Sequence, residues 1–557
     1  MKLRSLLCSI VLCSSACSWF PSAVHPLVVG EVELDPATVH TIGLSLPVVS
    51  GDEDFDASVR VAYRRVDSPD WNEAMPLQRV RTDTLSWAVP SQFPIAEQFA
   101  GSIFDLSPNS SYEISLTIID PEGGTMMRTV EARTRPEPRD ISHSPHVVDV
   151  ESREGLLAAL GRAKPGDVIM LAKGRYRGPV DLEGSGTDAD PIVVKGRDRA
   201  ETIIESPGQE YGVRITGSHV HLEDVTIRSS AWGIAVANAS DVVIRGTHIE
   251  DVKFGINGRS GANRNFYICD NLLEGKGVRW PDTSGKIWNY EGIVVTGAGH
   301  VICHNTVAGF GDALGLSQPA DIPNRAIDFY GNDVLWGGDD GIELDYSERN
   351  VRAFRNRFGN VAMGISFQPV WGGPVYALRN VIYNTAVAPY KLNQQPSGFF
   401  ILHNTSLRSG WAWMQHGEAA SNFSFHNNLT IGTKPVFLTP YLQMAGIDYN
   451  GWSPDGEFKF DYSWSDFSSL SRQSPYERHG RLLKAPVFVA AVSVPPNFES
   501  FMSPPPALML DANSNAVDAG LRLPNINDDY TGERPDIGVL ERGRDAPHYG
   551  VRWGSRR

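Results

Sequence analysis

The stretch FYGNDVLWGGDDGIELDYSERNVRAFRNRFGNVAMGISF, residues 329–367, says the same short phrase twice. An aromatic residue, one further residue and then Asn appear as Tyr330-Gly331-Asn332 and again as Phe354-Arg355-Asn356. A Gly-Ile pair with a second apolar residue follows each, as Gly341-Ile342-Glu343-Leu344 and Gly364-Ile365-Ser366-Phe367. Working outward, the first phrase recurs upstream at Cys269-Asp270-Asn271 and Cys303-His304-Asn305. Downstream it recurs at Leu378-Arg379-Asn380, Leu402-His403-Asn404 and Phe425-His426-Asn427, the last steps being 24, 24, 24 and 23 residues. A period in this range marks one supersecondary unit stacked on the next. Asn at equivalent turns can join its amides into a ladder along the stack.

The second phrase recurs as Gly233-Ile234-Ala235-Val236, Gly292-Ile293-Val294-Val295 and Leu314-Gly315-Leu316. Side chains alternate along a strand, so the first and third apolar residues point inward and the residue between them points out. Short strands separated by Asn turns and repeated in register predict a parallel β-helix over about 146–545, in an all-β protein. Ahead of it, Ser152 to Ala163 predicts one amphipathic helix, with Ser152 as its cap and Leu156, Leu157 and Leu160 on one face. Pro165-Gly166-Asp167 ends that helix and a strand follows, a pattern that resembles the N-terminal cap of right-handed parallel β-helix proteins, which implies a right-handed β-helix whose first coil the helix covers.

Residues 27–135 alternate polar and apolar residues in short runs such as Tyr112-Glu113-Ile114-Ser115-Leu116-Thr117-Ile118, which predicts a small β-sandwich. Residues 136–145 open with Pro136-Glu137-Pro138 and predict a stiff linker. On this reading the sandwich is a spacer that shares no core with the helix. At the N-terminus, Lys2 and Arg4, the apolar run Leu6–Leu12 and the small residues up to Cys17 form a signal peptide over 1–17. Ser14-Ser15-Ala16-Cys17 is also similar to a bacterial lipoprotein box, so an extracytoplasmic protein is expected, whether outer-membrane lipoprotein, periplasmic or secreted, and any membrane tie would be a lipid on Cys17.

The formal net charge of −15 over 557 residues leaves no basic footprint for nucleic acid. A monomer is expected. Cys269 and Cys303 take the same inward position on successive coils with their side chains pointing the same way, so a reduced, buried pair is expected.

The acids of the opening stretch sort by column. Asp340 stands two before Ile342, as Glu291 stands before Ile293, Asp312 before Leu314 and Met363 before Ile365. Coils about 4.8 Å apart therefore bring Glu291, Asp312 and Asp340 to three successive rungs, with Asp339 beside them at the turn and Glu343 facing out. Like charges held so close are costly, and such strain is kept for function or for a bound cation. Solvated turn acids and a calcium site on the same carboxylates are the two plainer readings. Arg355, Arg379, His403 and His426 form a further column on another side, expected to be a solvated face.

Two resemblances attach to these residues. Leu106-Ser107-Pro108-Asn109-Ser110-Ser111-Tyr112 resembles the corner of fibronectin type III domains, where a Tyr hydroxyl pins the loop. The run from Asn332 through Gly338-Asp339-Asp340-Gly341-Ile342 to Gly364-Ile365 resembles the core of polygalacturonase-type glycoside hydrolases, whose fold is the pectin-lyase-like β-helix. The resemblance implies that Asp339 is the general acid and that Asp312 and Asp340 orient and deprotonate the attacking water, with inversion at the sugar carbon. It implies no cofactor. The pattern departs at Met363, where the family has His, at Lys391-Leu392-Asn393, where it has Arg-Ile-Lys, and at Phe310, where it has Asn.

A polysaccharide or oligosaccharide would then lie along Glu291, Glu343, Gln368, Lys391 and Asn393, with Trp336, Tyr346 and Trp371 among the rings on which sugars stack. Two alternatives remain open at this point. One is a polysaccharide lyase or C5-epimerase on the same scaffold, using Lys391, and the other is a non-catalytic carbohydrate-binding or adhesion protein. Residues 513–520 and 523–538 resemble the closing segment of extracellular β-helix polysaccharide enzymes.

Overall fold

The computed structural model describes residues 25–139, 145–277, 280–281, 287–415, 418–432, 442–460 and 462–553. The expected leader at 1–17, with Cys17, and residues 140–144 of the expected linker 136–145 lie outside the described residues.

From His146 onward the chain winds as a parallel β-helix whose strands form three long parallel sheets of 13, 13 and 10 strands. Along the middle of the stack each coil gives one strand to each sheet, the end coils giving none to the 10-stranded one, and each strand's neighbours are the coils before and after it in sequence. The interior is a dry stack of aliphatic and aromatic side chains. On one sheet the inward column runs Ile234, Ile256, Ile293, Leu314, Ile342, Ile365, Tyr390 and Trp413, all in one buried core.

The Asn ladder is present and buried. The side-chain amide of Asn305 donates to Oδ1 of Asn332 at 3.0 Å, and its backbone N–H does so at the same distance. Asn332 repeats the pattern onto Asn356, Asn356 onto Asn380, and Asn380 onto Asn404. The next member is Asn428, not Asn427, which restores a step of 24 residues. Asn427 instead takes the left-handed backbone position before the ladder residue, with φ 59°. The ladder continues to Asn450 and ends on Glu477, whose carboxylate accepts from the Asn450 amide at 2.8 Å.

The three sheets differ in what lies against their outer faces. One faces the N-terminal module, an eight-stranded antiparallel sheet system built from residues Val28 to Arg133. The Tyr112 hydroxyl there accepts from the Ser107 N–H at 2.8 Å, as the corner sequence predicts. The spacer reading is corrected by the module's contact with the helix, which includes buried ion pairs and apolar packing. Asp328, fully buried, accepts from Arg352 Nε at 2.5 Å and from the hydroxyls of Thr38 and Thr41. Arg352 reaches on to Ser102, Asp35 takes Arg349 and Asn350, and the ring of Phe104 packs edge-on against Phe354 and Tyr376. A buried charge that loses its partners is costly, so the module is part of the helix's folded state.

The second sheet is covered by the C-terminal segment. The last helical strand is Arg481–Leu482, so the β-helix ends well before 545. Beyond it the chain runs back along the outside of the coils: Gly538 N–H bonds Asn427 O, Val539 N–H bonds the Thr405 hydroxyl, and Arg552 pairs with Asp270 at 2.8 Å. The column expected to be solvated is therefore occupied: Arg355 forks onto Asp105 of the N-terminal module, Arg379 pairs with Asp529, and His403 is buried against Gly538 O.

Cys269 and Cys303 are joined in a disulfide, which corrects the expected reduced pair. The register sets them side by side on adjacent strands with Cα atoms 4.5 Å apart, within bridging range. They face outward beneath Val39 of the N-terminal module, while Ile268 and Ile302 take the inward positions. The capping helix spans Arg153–Leu160, with the Ser152 hydroxyl accepting from Gly155 N–H at 3.1 Å. Leu156 is buried as expected, but Leu157 points to solvent.

Candidate functional site

The third sheet carries the acids, and its register places them as the columns predict. Glu291 pairs with Asp312, Leu314 with Ile342, and Asp340 with Met363, so Glu291, Asp312 and Asp340 begin three successive strands. Asp340 N–H donates to Asp312 Oδ1 at 3.1 Å. Asp339 sits in the turn just before, its N–H on Gly311 O and its carbonyl taking the N–H groups of Ala362 and Met363. The insertion ahead of Glu291 packs Ile287 against Gly338, which walls the turn, and leaves Trp288 exposed.

Glu343 stands in the outward column Val294, Gly315, Glu343, Ser366, Lys391 and Met414. Its side chain folds back over Gly315, where an added Cβ would lie 3.1 Å from Glu343 Cβ and 3.5 Å from its Oε2. That gap lets Glu343 converge with Asp312 and Asp340, one carboxylate oxygen of each lying within 4.8 Å of the others. Lys391, two coils on, reaches across Ser366 and puts its Nζ 2.7 Å from Asp340 Oδ2, both side chains nearly or wholly buried. Asp340 Oδ1 is buried with no hydrogen-bond partner.

The electrostatics follow from burial among like charges. Burial raises the Asp312 carboxyl well above its ordinary value, and Asp340 and Asp339 push it further. Burial and the charge of Asp340 bring Asp339 up to about 6, with Lys391 pulling the other way. Asp340 is raised by burial and held down by Lys391, so it is the member of the group with a counter-ion in contact. Glu343 is raised well above normal by burial, Asp312 and Asp345. Burial would lower Lys391, but Asp340, Asp345 and Glu343 outweigh it and hold the ammonium on. Glu291 is raised by burial and pairs with Arg259.

The residues expected to bind substrate divide. Gln368 and Asn393 meet, the Asn393 amide donating to Gln368 Oε1 at 2.8 Å. Tyr346 is half-buried near Asp345 and Glu343, with its ring edge-on to Trp371. Trp371 is 0% exposed and lies on the sheet facing the N-terminal module, so it offers no face to a sugar. Trp413 and Tyr390 are core residues as well. Trp336 is half-buried on the second sheet, its ring against Gly309. Lys391 is spent on Asp340 rather than left for a ligand.

Asp345 belongs to the site as well. It is buried, accepts from the Ser366 hydroxyl and the Gln368 N–H at 2.7 Å each, and is raised by burial to about 7 despite Lys391. Its signal in the sequence is a carboxylate one residue past the inward Leu344, at the strand's exit. Gly315 is readable as the one residue without a side chain in an outward column.

No protein-family model matches the chain, and no curated protein does. Among solved structures it is similar to an alginate lyase from Paenibacillus sp., at 17% identity over 54% of this chain and 99% of that one, TM-score 0.30. It is similar also to a PL6 family alginate lyase, AlyGC, at 16% identity over 57% of this chain and 53% of that one, TM-score 0.35. A third is a family 28 exopolygalacturonase of Yersinia enterocolitica, at 11% identity over 78% of this chain and 95% of that one, TM-score 0.27.

Proposed function

We propose that the protein is an extracytoplasmic polysaccharide hydrolase acting with inversion, in which Asp339 protonates the leaving oxygen and Asp340 is the base toward a water that Asp312 helps to orient. The observation that carries this reading is the division of labour within one carboxylate group. Asp339, half-buried and raised to about 6, keeps its proton to a higher pH than an ordinary carboxyl does. Asp340 beside it is tied to Lys391 and so is favoured as the ionised partner. A hydrolase that cleaves through an oxocarbenium-like transition state needs that pairing of acid and base. The disulfide between Cys269 and Cys303 suits an oxidising compartment, in keeping with the leader and the lipid-anchor sequence at Cys17.

A second reading rests on the convergence of Asp312, Asp340 and Glu343. Their oxygens, with Asp340 Oδ1 unpartnered, fit a hard divalent cation such as calcium, and such an ion would supply charge for a lyase or C5-epimerase. Lys391 would be the base there, and its upward shift opposes that role, since a base must release its proton.

Product analysis on a polysaccharide panel separates the two. Hydrolysis gives saturated ends of inverted configuration, and elimination gives an unsaturated sugar absorbing in the ultraviolet. Asp339→Asn should cut turnover of substrates with poor leaving groups by about 10²–10⁴-fold and spare activated aryl glycosides. Asp312→Asn and Asp340→Asn should cripple both. Unsaturated products, or near-normal activity in all three variants, would overturn the hydrolase reading.

A further inference from the structure

The column that holds the acids begins before them. On the third sheet Tyr211 pairs with Trp232 and Trp232 with Phe254. Ile256 pairs with Ile293, which sets Phe254 level with Glu291, and Glu291 pairs with Asp312. One file of strand-entry residues therefore runs Tyr211, Trp232, Phe254, Glu291, Asp312 and Asp340, three aromatic rungs and then three acids. Coils about 4.8 Å apart put Tyr211 about 14 Å along the stack from Glu291 and about 24 Å from Asp340.

Glycine follows each of the three rings, and no side chain would fit there. A Cβ on Gly212, Gly233 or Gly255 would lie within 3.0 Å of the carbonyl oxygen of Gly233, Gly255 or Gly292. The entry corners close on one another, and the residue before each glycine is left half-buried at the lip of the sheet. The rings are also held there. The Tyr211 hydroxyl donates to Asp181 Oδ1 at 3.1 Å, and Arg214, paired with the same carboxylate, lies 5.1 Å over the ring. Arg259, which joins Asn257 and Glu291, lies 5.3 Å over Phe254, and the Trp232 ring meets Phe254 edge-on at 6.0 Å. The described part of the insertion before Glu291 leans toward the later coils, with Ile287 against Gly338 and Trp280 Nε1 donating to Phe498 O.

A strip of fixed rings in line with the acids, edged by an amide and two ion pairs, matches a sugar chain laid along the stack. Its apolar faces stack on the rings and its hydroxyls meet the polar groups beside them. On the polysaccharide-cleaving reading above, we propose that Tyr211, Trp232 and Phe254 hold the chain over the earlier coils, several sugar units from the bond that is cut. The enzyme then favours long substrates over short ones.

The test reads binding in Asp339→Asn protein, so it does not depend on how the bond is cleaved. Affinity electrophoresis runs that protein through gels containing polygalacturonate, alginate, xylan or a mixed-linkage β-glucan. At least one polymer should retard it, and oligosaccharides of that polymer should bind more tightly as they lengthen. Adding Trp232→Leu should weaken binding of the polymer tenfold or more and remove the gain with length, whereas Trp232→Phe, which keeps a flat face, should stay within threefold. Tyr211→Leu, at the far end of the strip, should lose affinity only for the longest chains, which a loss of folding would not imitate. No retardation by any of the four polymers, Trp232→Leu binding as Trp232→Phe does, or an unchanged dependence on length in both Leu variants would overturn the inference. The hydrolase reading would then still stand or fall on its products.

Discussion

Replacing Lys391 by Met removes one end of a buried ion pair and leaves a side chain of similar length. The wild-type contact is 2.7 Å, with side-chain exposures of 10% for Lys391 and 0% for Asp340. Stranding one charge of such a pair costs about 3–5 kcal/mol. The protein can avoid the stranded charge by protonating Asp340. At pH 7 that means neutralising a carboxyl whose unfolded pKa is about 3.9, which costs about 4 kcal/mol at 1.36 kcal/mol per unit. Both routes converge on a loss of about 4 kcal/mol. Unfolding entropy of about 2.1 cal/mol/K per residue makes that about 4 °C in Tm for a chain of this length.

The sign of the pH dependence is fixed by the direction of the shift. Asp340 already sits above its unfolded pKa, so between the two values the folded chain binds more protons, and stability falls as pH rises through that window. Lys391→Met widens the window upward. Its Tm deficit should be about 4 °C at pH 7 and should shrink as the pH falls and Asp340 takes up its proton. Differential scanning fluorimetry from pH 4 to 8 measures this. The pair Asp340→Asn with Lys391→Met should recover most of the deficit. An equal loss at pH 4 and pH 7, or a double variant as unstable as Lys391→Met, would refute the assignment of Lys391 as the counter-ion of Asp340.

Other outcomes are open to measurement. An acid must be protonated to act, so kcat on substrates with poor leaving groups should fall as pH rises through about 6, the value to which Asp339 is raised, and the residual activity of Asp339→Asn on those substrates should lack that limb in a pH–rate profile. Gly315→Ala puts a methyl where Glu343 folds back; turnover should drop tenfold or more with a stability change under about 1 kcal/mol, and an unchanged kcat would show that Glu343 does not need the gap. A chain beginning at residue 145 strips Thr38, Thr41 and Ser102 from Asp328 and Arg352; it should fail to give a cooperative melt, and a stable, soluble product would return the N-terminal module to the role of spacer.

What could be read in the sequence was what repeats. Gly341-Ile342-Glu343-Leu344 and its equivalents fix which side chains point inward, because a one-residue slip would reverse every one of them. Aligning those phrases therefore placed Glu291, Asp312 and Asp340 on neighbouring rungs without knowledge of any distance. The errors lay on the outer faces. Cys269, Arg355, His403 and Trp371 occupy positions whose burial is decided by what packs on the coils from outside, namely the N-terminal module and the C-terminal segment. Those contacts join residues hundreds of positions apart and leave no period to detect. The Asn427 misreading has a local cause: Asn427-Asn428 offers two amides, and Asn also suits the left-handed turn position one residue earlier.

The C-terminal segment changes how this solenoid should come apart. In a stack whose units touch only their immediate neighbours, stability is a sum of local terms, and the end coils can fray while the middle holds. Here the chain that leaves the last coil returns to bond the coils of Asn427, Thr405, Thr306 and Asp270 in turn. Opening the coil at Asp270 therefore also releases the end of a strap fastened at Asn427, and the cost of a local opening acquires a contribution from coils that it does not touch. The nearest-neighbour chain becomes a closed circuit. Amides along that whole span should exchange with solvent as one cooperative block, in place of a gradient of protection falling toward the C-terminal end.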